Sequence, residues 1–229
     1  MSININPNTT AHILMMRHGD KDDDKLTREG YFQTYNVGGK ILSQLDNQAT
    51  INGLHSQTQR TAQSAHQVIM GYLFNTNRHA EEIYTQETPA LNWPNYTTQE
   101  LQKLEESMQA NNGDAGAYIL NRNQTLSTTP YQIATNVTNG FLKPSLEAMQ
   151  NLESGNTIIT VGATHACITE ATLQEILKVS FTEKFGAAFV TAEHALFTFE
   201  NDANENLNIS VRFREQTHQI DPSLILNFR

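Results

Sequence analysis

Ile13-Leu14-Met15-Met16-Arg17-His18-Gly19 is the stretch on which the reading of this chain turns. Four apolar residues follow one another without a charge and stop at an arginine, a histidine and a glycine. An apolar run of this kind reads as a strand buried on both faces. The Arg-His pair then falls at the strand's carboxyl end, where open α/β sheets keep their ligand crevices. A cation beside a nitrogen nucleophile at such an edge points to chemistry on an anion, and a phosphate fits best.

Working outward, the strand spans Ala11–Met16, after a polar arm over residues 1–10. A loop, Arg17–Lys25, leads to Thr27, the N-cap of a helix expected to run to Leu45 with Val37, Ile41, Leu42 and Leu45 on its apolar face. Ile51–His55 is a second strand and Thr58–Leu73 a second helix. Glu82–Gln86 is a weak third strand. Thr97-Thr98-Gln99-Glu100 forms a capping box for a helix to Ala110, broken by Asn111-Asn112-Gly113-Asp114 and followed by a short helix over Ala115–Asn121. Residues 87–128 together read as an insertion over the sheet edge. Thr129-Pro130 opens a long helix that Gly155 ends. Thr157–Gly162 is another buried strand, with His165 just past its end, and a helix covers Ile168–Val179. Ala195–Glu200 and Leu207–Arg214, joined by the turn over residues 202–206, form an antiparallel hairpin. The fold class that results is α/β: a three-layer sandwich with a mostly parallel central sheet, helices on both faces and an antiparallel edge hairpin, in one domain spanning residues 1–229.

Composition narrows the partners. A formal net charge of −9 speaks against wholesale binding of nucleic acid or of an anionic membrane. The single cysteine, Cys167, excludes an internal disulfide and a four-cysteine zinc site and fits a reducing compartment. The first residues lack a signal peptide's basic and apolar blocks, so a soluble, cytoplasmic protein is expected. Asp20, Asp22, Asp23 and Asp24 suggest a calcium loop, but Lys25 stands where an EF-hand needs glycine and Tyr31 where it needs glutamate. They read as a solvated loop. His55 reads as an ordinary strand histidine or a residue lining the pocket, Cys167 as a small packed residue, and Trp93 and Tyr96 as anchors of the inserted loop or a lid.

Arg17 and His18 gain weight from two further positions. Arg60 lies in the first turn of the second helix, an end that favours anions, and His165 follows a buried strand just as His18 does. Met-Arg-His-Gly-Asp, Leu-Thr-Arg-Glu-Gly-Tyr-Phe-Gln, Ser-Gln-Thr-Gln-Arg-Thr-Ala-Gln-Ser-Ala and the late strand ending in Thr-His occur in that order. Together they resemble the histidine phosphatase superfamily, the phosphoglycerate-mutase-like fold, from about residue 11 to residue 179. The resemblance implies a phosphoric monoester hydrolase of the histidine acid phosphatase type. His18 would be the nucleophile, with Arg17, Arg60 and His165 binding the phosphoryl oxygens, and with no cofactor and no metal. A phosphorylated small molecule or a phosphoprotein would be the substrate. Alternatives are phosphoryl transfer of the phosphoglycerate mutase type, or a catalytically weak member that binds phospho-ligands or a protein.

The chain departs from that family's pattern twice. His165 is followed by Ala166-Cys167 where His-Gly-Gly is common. The usual acid, a glutamate in a Leu-x-Glu setting, is missing, since Leu91 is followed by Asn92 and Trp93. Glu87 is the nearest carboxylate by its spacing from Arg60 and is the candidate proton donor. Glu100 reads as the capping-box partner of Thr97 and Glu170 as a solvated helix residue; Glu87, Glu100, Glu170 and no dedicated acid remain the options. Oligomeric state is left open.

Overall fold

The computed structural model describes residues 5–79, 83–111 and 115–228. Nine strands are present among them: β1 (Thr9–Arg17), β2 (Lys21–Asp22), β3 (Lys25–Leu26), β4 (Thr50–His55), β5 (Thr85–Glu87), β6 (Thr157–Thr164), β7 (His194–Asn201), β8 (Leu207–Phe213) and β9 (Gln216–Ile220). The helices are α1 (Arg28–Lys40), α2 (Gln59–Asn75), α3 (Thr98–Ala110), α4 (Gly116–Ile119), α5 (Pro130–Val137), α6 (Lys143–Ala148), α7 (Ile168–Leu177), α8 (Phe181–Phe185) and α9 (Pro222–Leu226). Seven strands form one mixed sheet in the order β5-β4-β6-β1-β7-β8-β9, and β2 and β3 pair as a separate antiparallel ribbon. The pairings β5-β4, β4-β6 and β6-β1 are parallel, and those from β1 to β9 are antiparallel. This is the expected α/β architecture with a parallel core.

β1 is central because its side chains are buried on both faces. Ala11, Ile13 and Met15 enter one apolar core, which includes Phe141, Leu142 and Leu173. Leu14 and Met16 enter the other, with Val68 and Tyr72 of α2. α1 and α2 cover that second face, and glycines bring their backbones together. A Cβ at Gly38 would lie 1.8 Å from the Val68 carbonyl oxygen, and one at Gly71 would lie 2.1 Å from that of Tyr35. On the first face, the run from Pro130 to Asn151 is helical throughout but widens to a π turn over Thr138–Leu142. Pro144 supplies the reason: it has no N–H for the Gly140 carbonyl, and its ring would crowd that group. The widened turn carries Phe141, whose ring lies where a side chain on Gly162 of β6 would be.

Several elements differ from the sequence expectations. β1 begins at Thr9, so the polar arm is shorter, and Ile5 is buried in the core. α1 stops at Lys40 and continues only as a 3₁₀ turn over Leu42–Gln44. The antiparallel hairpin is followed by β9, whose polar sequence Gln216-Thr217-His218-Gln219-Ile220 suits an edge strand and conceals it. The first expected residue of the third strand, Glu82, and the break at residues 112–114 lie outside the described residues. Among the described residues no helix is long and apolar enough to cross a membrane.

Candidate active site

Three neighbouring parallel strands end together. Arg17 of β1 pairs with Thr164 of β6, and His55 of β4 pairs with Ala163. The backbone N–H groups of His18 and Ser56 then bond the carbonyls of Thr164 and Ala163 at 2.9 and 3.2 Å. Arg17, His18, Arg60 and His165 all line one cavity of about 480 Å³ at this edge.

His18 is almost fully buried. Its Nδ1 lies 2.8 Å from the Gly19 carbonyl oxygen. A carbonyl only accepts, so Nδ1 carries the proton and Nε2 keeps its lone pair. Burial lowers its pKa to about 4; the Gly19 bond opposes this, while Arg60 and Arg17 add to it. The ring is therefore neutral near neutral pH. Gly19 can have no side chain here, because a Cβ would lie 2.5 Å from the Gly30 carbonyl oxygen at the start of α1. The loop after His18 is thus seated backbone to backbone on α1.

His165 stands edge-on to His18, with ring centroids 5.6 Å apart. Arg60 Nη2 is 3.4 Å from its Nδ1, and a guanidinium can only donate, so Nδ1 accepts. The proton sits on Nε2, which donates to Ser56 Oγ at 2.8 Å. Thr61 Oγ1 donates to the carbonyls of Ser56 and Thr58 at 3.0 and 2.8 Å, so it accepts from Ser56 Oγ at 2.9 Å. This chain of hydroxyls orients His165. Burial, then Arg60, lowers the His165 pKa to about 3. Sequence reading missed the roles of Ser56 and Thr61, although Ser56 follows a strand end and Thr61 follows Arg60.

Arg17 Nη1 donates to the Phe189 carbonyl at 2.5 Å. The N–H of the same residue donates to Glu170 Oε1 at 2.7 Å. Glu170 is completely buried, which corrects the expectation of a solvated helix residue. Burial raises its pKa, and its Phe189 bond and Arg17 oppose that shift. Arg60 donates from Nη1 to Asp24 Oδ1 at 2.8 Å, and the Gln59 N–H donates to Asp24 Oδ2 at 3.1 Å. Asp24 therefore belongs to the site and is more than part of a solvated loop.

Glu100 closes its capping box: Oε2 accepts from the Thr97 N–H at 2.7 Å, and Oε1 accepts from the Ser127 N–H. Those bonds hold its pKa down to about 2. Glu87 is exposed on β5, opposite His55, outside the cavity wall. Among the described residues, the carboxylate in the wall is Glu105 of α3. Cys167 lies buried at the N-cap of α7 with φ of 71°, a left-handed conformation that a glycine adopts more readily. The backbone here thus has a shape suited to glycine, and the cysteine side chain is carried on it. Among the described residues no group of three His, Cys, Asp or Glu side chains is placed to hold a metal ion.

No family model matches the sequence, and no curated protein matches it. Solved structures do resemble the fold. A mycobacterial protein described as hydrolase 1 shares 13% identity, with 91% of this chain and all of that one covered at a TM-score of 0.56. A mycobacterial glucosyl-3-phosphoglycerate phosphatase shares 13% identity over 86% of this chain and 97% of its own, at 0.54. Phosphoserine phosphatase from Entamoeba histolytica, in complex with 3-phosphoglyceric acid, shares 13% identity over 94% and 99%, at 0.52. Such distant likeness speaks for architecture, and the architecture of this chain is the phosphoglycerate-mutase-like histidine phosphatase fold.

Proposed function

We propose that the protein is a phosphatase that hydrolyses a phosphomonoester or a phosphorylated protein side chain through a phosphohistidine at His18. The observation that carries this reading is the His18 tautomer: Nδ1 is committed to the Gly19 carbonyl, so Nε2 is the nucleophilic nitrogen. In the first step Nε2 attacks phosphorus and the bond to the leaving oxygen breaks. Arg17 and Arg60 neutralise charge on the phosphoryl oxygens, where it spreads in the transition state. Water then attacks the phosphohistidine, releasing phosphate and restoring the neutral ring. His165 completes the pocket from the β6 side. The His18→Ala variant should lose turnover of 4-nitrophenyl phosphate, and acid-labile label from ³²P-substrate should be trapped on wild type alone. Unchanged turnover in that variant would sink the mechanism.

A second reading is a weakly catalytic member that binds phosphorylated ligands. The Asp24–Arg60 ion pair favours it, because one phosphate-binding cation is already partnered. Phosphate binding without a labelled His18 would select this reading. Mutase chemistry has less support, since among the described residues the arginines in the cavity wall are Arg17 and Arg60, both needed by the transferred group.

A further inference from the structure

Arg17, His18, Arg60 and His165 are only part of the cavity wall. α3 supplies another part, where Leu101, Leu104, Glu105 and Met108 recur at helical spacing and share one face. Leu104 is anchored in the core, but Leu101 and Met108 are 49% and 38% exposed. Large apolar side chains left open beside a polar pocket mark a surface that a ligand covers. Trp93 joins this wall to the pocket, its ring edge-on to His165 with centroids 6.2 Å apart. Apolar surface therefore begins where a leaving group would emerge from the phosphoryl site.

Charge sharpens the picture. Among the described residues of the wall, the cationic side chains are Arg17 and Arg60, both assigned above to the phosphoryl group. A second anionic group on the substrate would meet no further cation there and would approach Glu105. Selection by repulsion operates in this way.

We infer that the cavity takes a phosphomonoester whose leaving group is a small aryl or alkyl group without further negative charge, selected by Trp93, Leu101 and Met108 and guarded by Glu105. The inference rests on the reading of Arg17, His18, Arg60 and His165 as a phosphate pocket. It is tested by calorimetric titration of the full chain with phosphonates, which bind without being hydrolysed. 2-Naphthylmethylphosphonate should bind at least about tenfold tighter than methylphosphonate. 4-Carboxybenzylphosphonate should bind about fivefold weaker than benzylphosphonate. Leu101→Asn combined with Met108→Gln should shrink the naphthyl advantage, and Glu105→Gln should shrink the carboxylate penalty. These residues are exposed, so folding survives the changes. Equal affinity across the series, tighter binding of the carboxylate, or no binding of any phosphonate overturns the inference. If the ranking holds but His18 never becomes phosphorylated, the hydrolase reading fails and the subsite stands. If aryl phosphates turn over but the ranking is reversed, the subsite fails and the hydrolase reading stands.

Discussion

Arg17 and Glu170 hold one residue, Phe189, by its two main-chain groups: Arg17 donates to its carbonyl, and Glu170 accepts from its N–H. The strand that delivers Arg17 is thereby tied to the first turn of α7 and to the segment before β7. Glu170→Ala leaves a buried N–H without its acceptor and opens a cavity, which should cost about 2–4 kcal/mol in urea unfolding. Glu170→Gln keeps the accepting oxygen and should recover most of that loss. Equal instability of the two variants would show that the charge, and not the bond to Phe189, is what matters.

Asp24 occupies Arg60 and the Gln59 N–H at the start of α2, donors that a phosphoryl group would also use. Asp24→Asn should therefore tighten product inhibition by inorganic phosphate, by up to about fivefold for a pair this exposed. Weaker inhibition would mean that Asp24 positions Arg60 and does not compete for it.

Ser56 is the acceptor that keeps the His165 proton on Nε2. Ser56→Ala removes it and lets the ring flip or change tautomer. kcat/KM for an aryl phosphate should fall by roughly tenfold or more, while Ser56→Thr, which keeps a hydroxyl, should lose less. Indifference to both changes would remove Ser56 from the site.

None of the three carboxyl groups picked out in the sequence borders His18. Glu87 faces solvent, Glu100 is spent on its cap, and Glu170 lies behind Arg17. Without an acid, turnover should fall steeply as the leaving-group pKa rises from 4-nitrophenol to phenol to a simple alcohol. A flat series would reveal a donor, and its conversion to a steep series by Glu105→Gln would identify it.

His12, His18 and His165 have native pKa values lowered from 6.5 to about 4, 4 and 3, in each case chiefly by burial. As pH falls below 6.5 the unfolded chain takes up protons that the native state refuses. Stability is thus complete above that value and is lost progressively towards pH 4. Each histidine contributes at most about 1.4 kcal/mol per pH unit. Urea midpoints measured across this window should drop steeply, and a flat profile would contradict the burial of these rings.

What could be read in the sequence was local. The apolar run of β1, the capping box at Thr97, the helix start at Thr129-Pro130 and the strand-end placement of both site histidines depend on neighbours a few residues away. What escaped depends on distant partners. α7 reads as an ordinary polar-faced helix, yet Thr169, Glu170, Thr172, Gln174 and Glu175 are all buried. Gln174 donates to the Leu120 carbonyl, Glu175 pairs with Arg122, and Glu170 meets Phe189. No periodicity announces such contacts. The two-residue strands β2 and β3 are too short to show any pattern, so the bearing of Asp24 on Arg60 was hidden as well.

The glycine contacts have a consequence for motion. Gly19 rests on Gly30, and Gly38 and Gly71 join α1 to α2, so the loop after His18, α1 and the helix bearing Arg60 touch through main chain. Side chains slide past one another by changing rotamer; backbones in contact have no such freedom. These segments should resist amide hydrogen exchange as one cooperative unit, close to the limit set by global unfolding. α3 is held to the core by Leu104 and its Glu100 cap and should exchange earlier. The side of the cavity that carries His18 and Arg60 is then the fixed jaw, and adjustment to different ligands falls to α3.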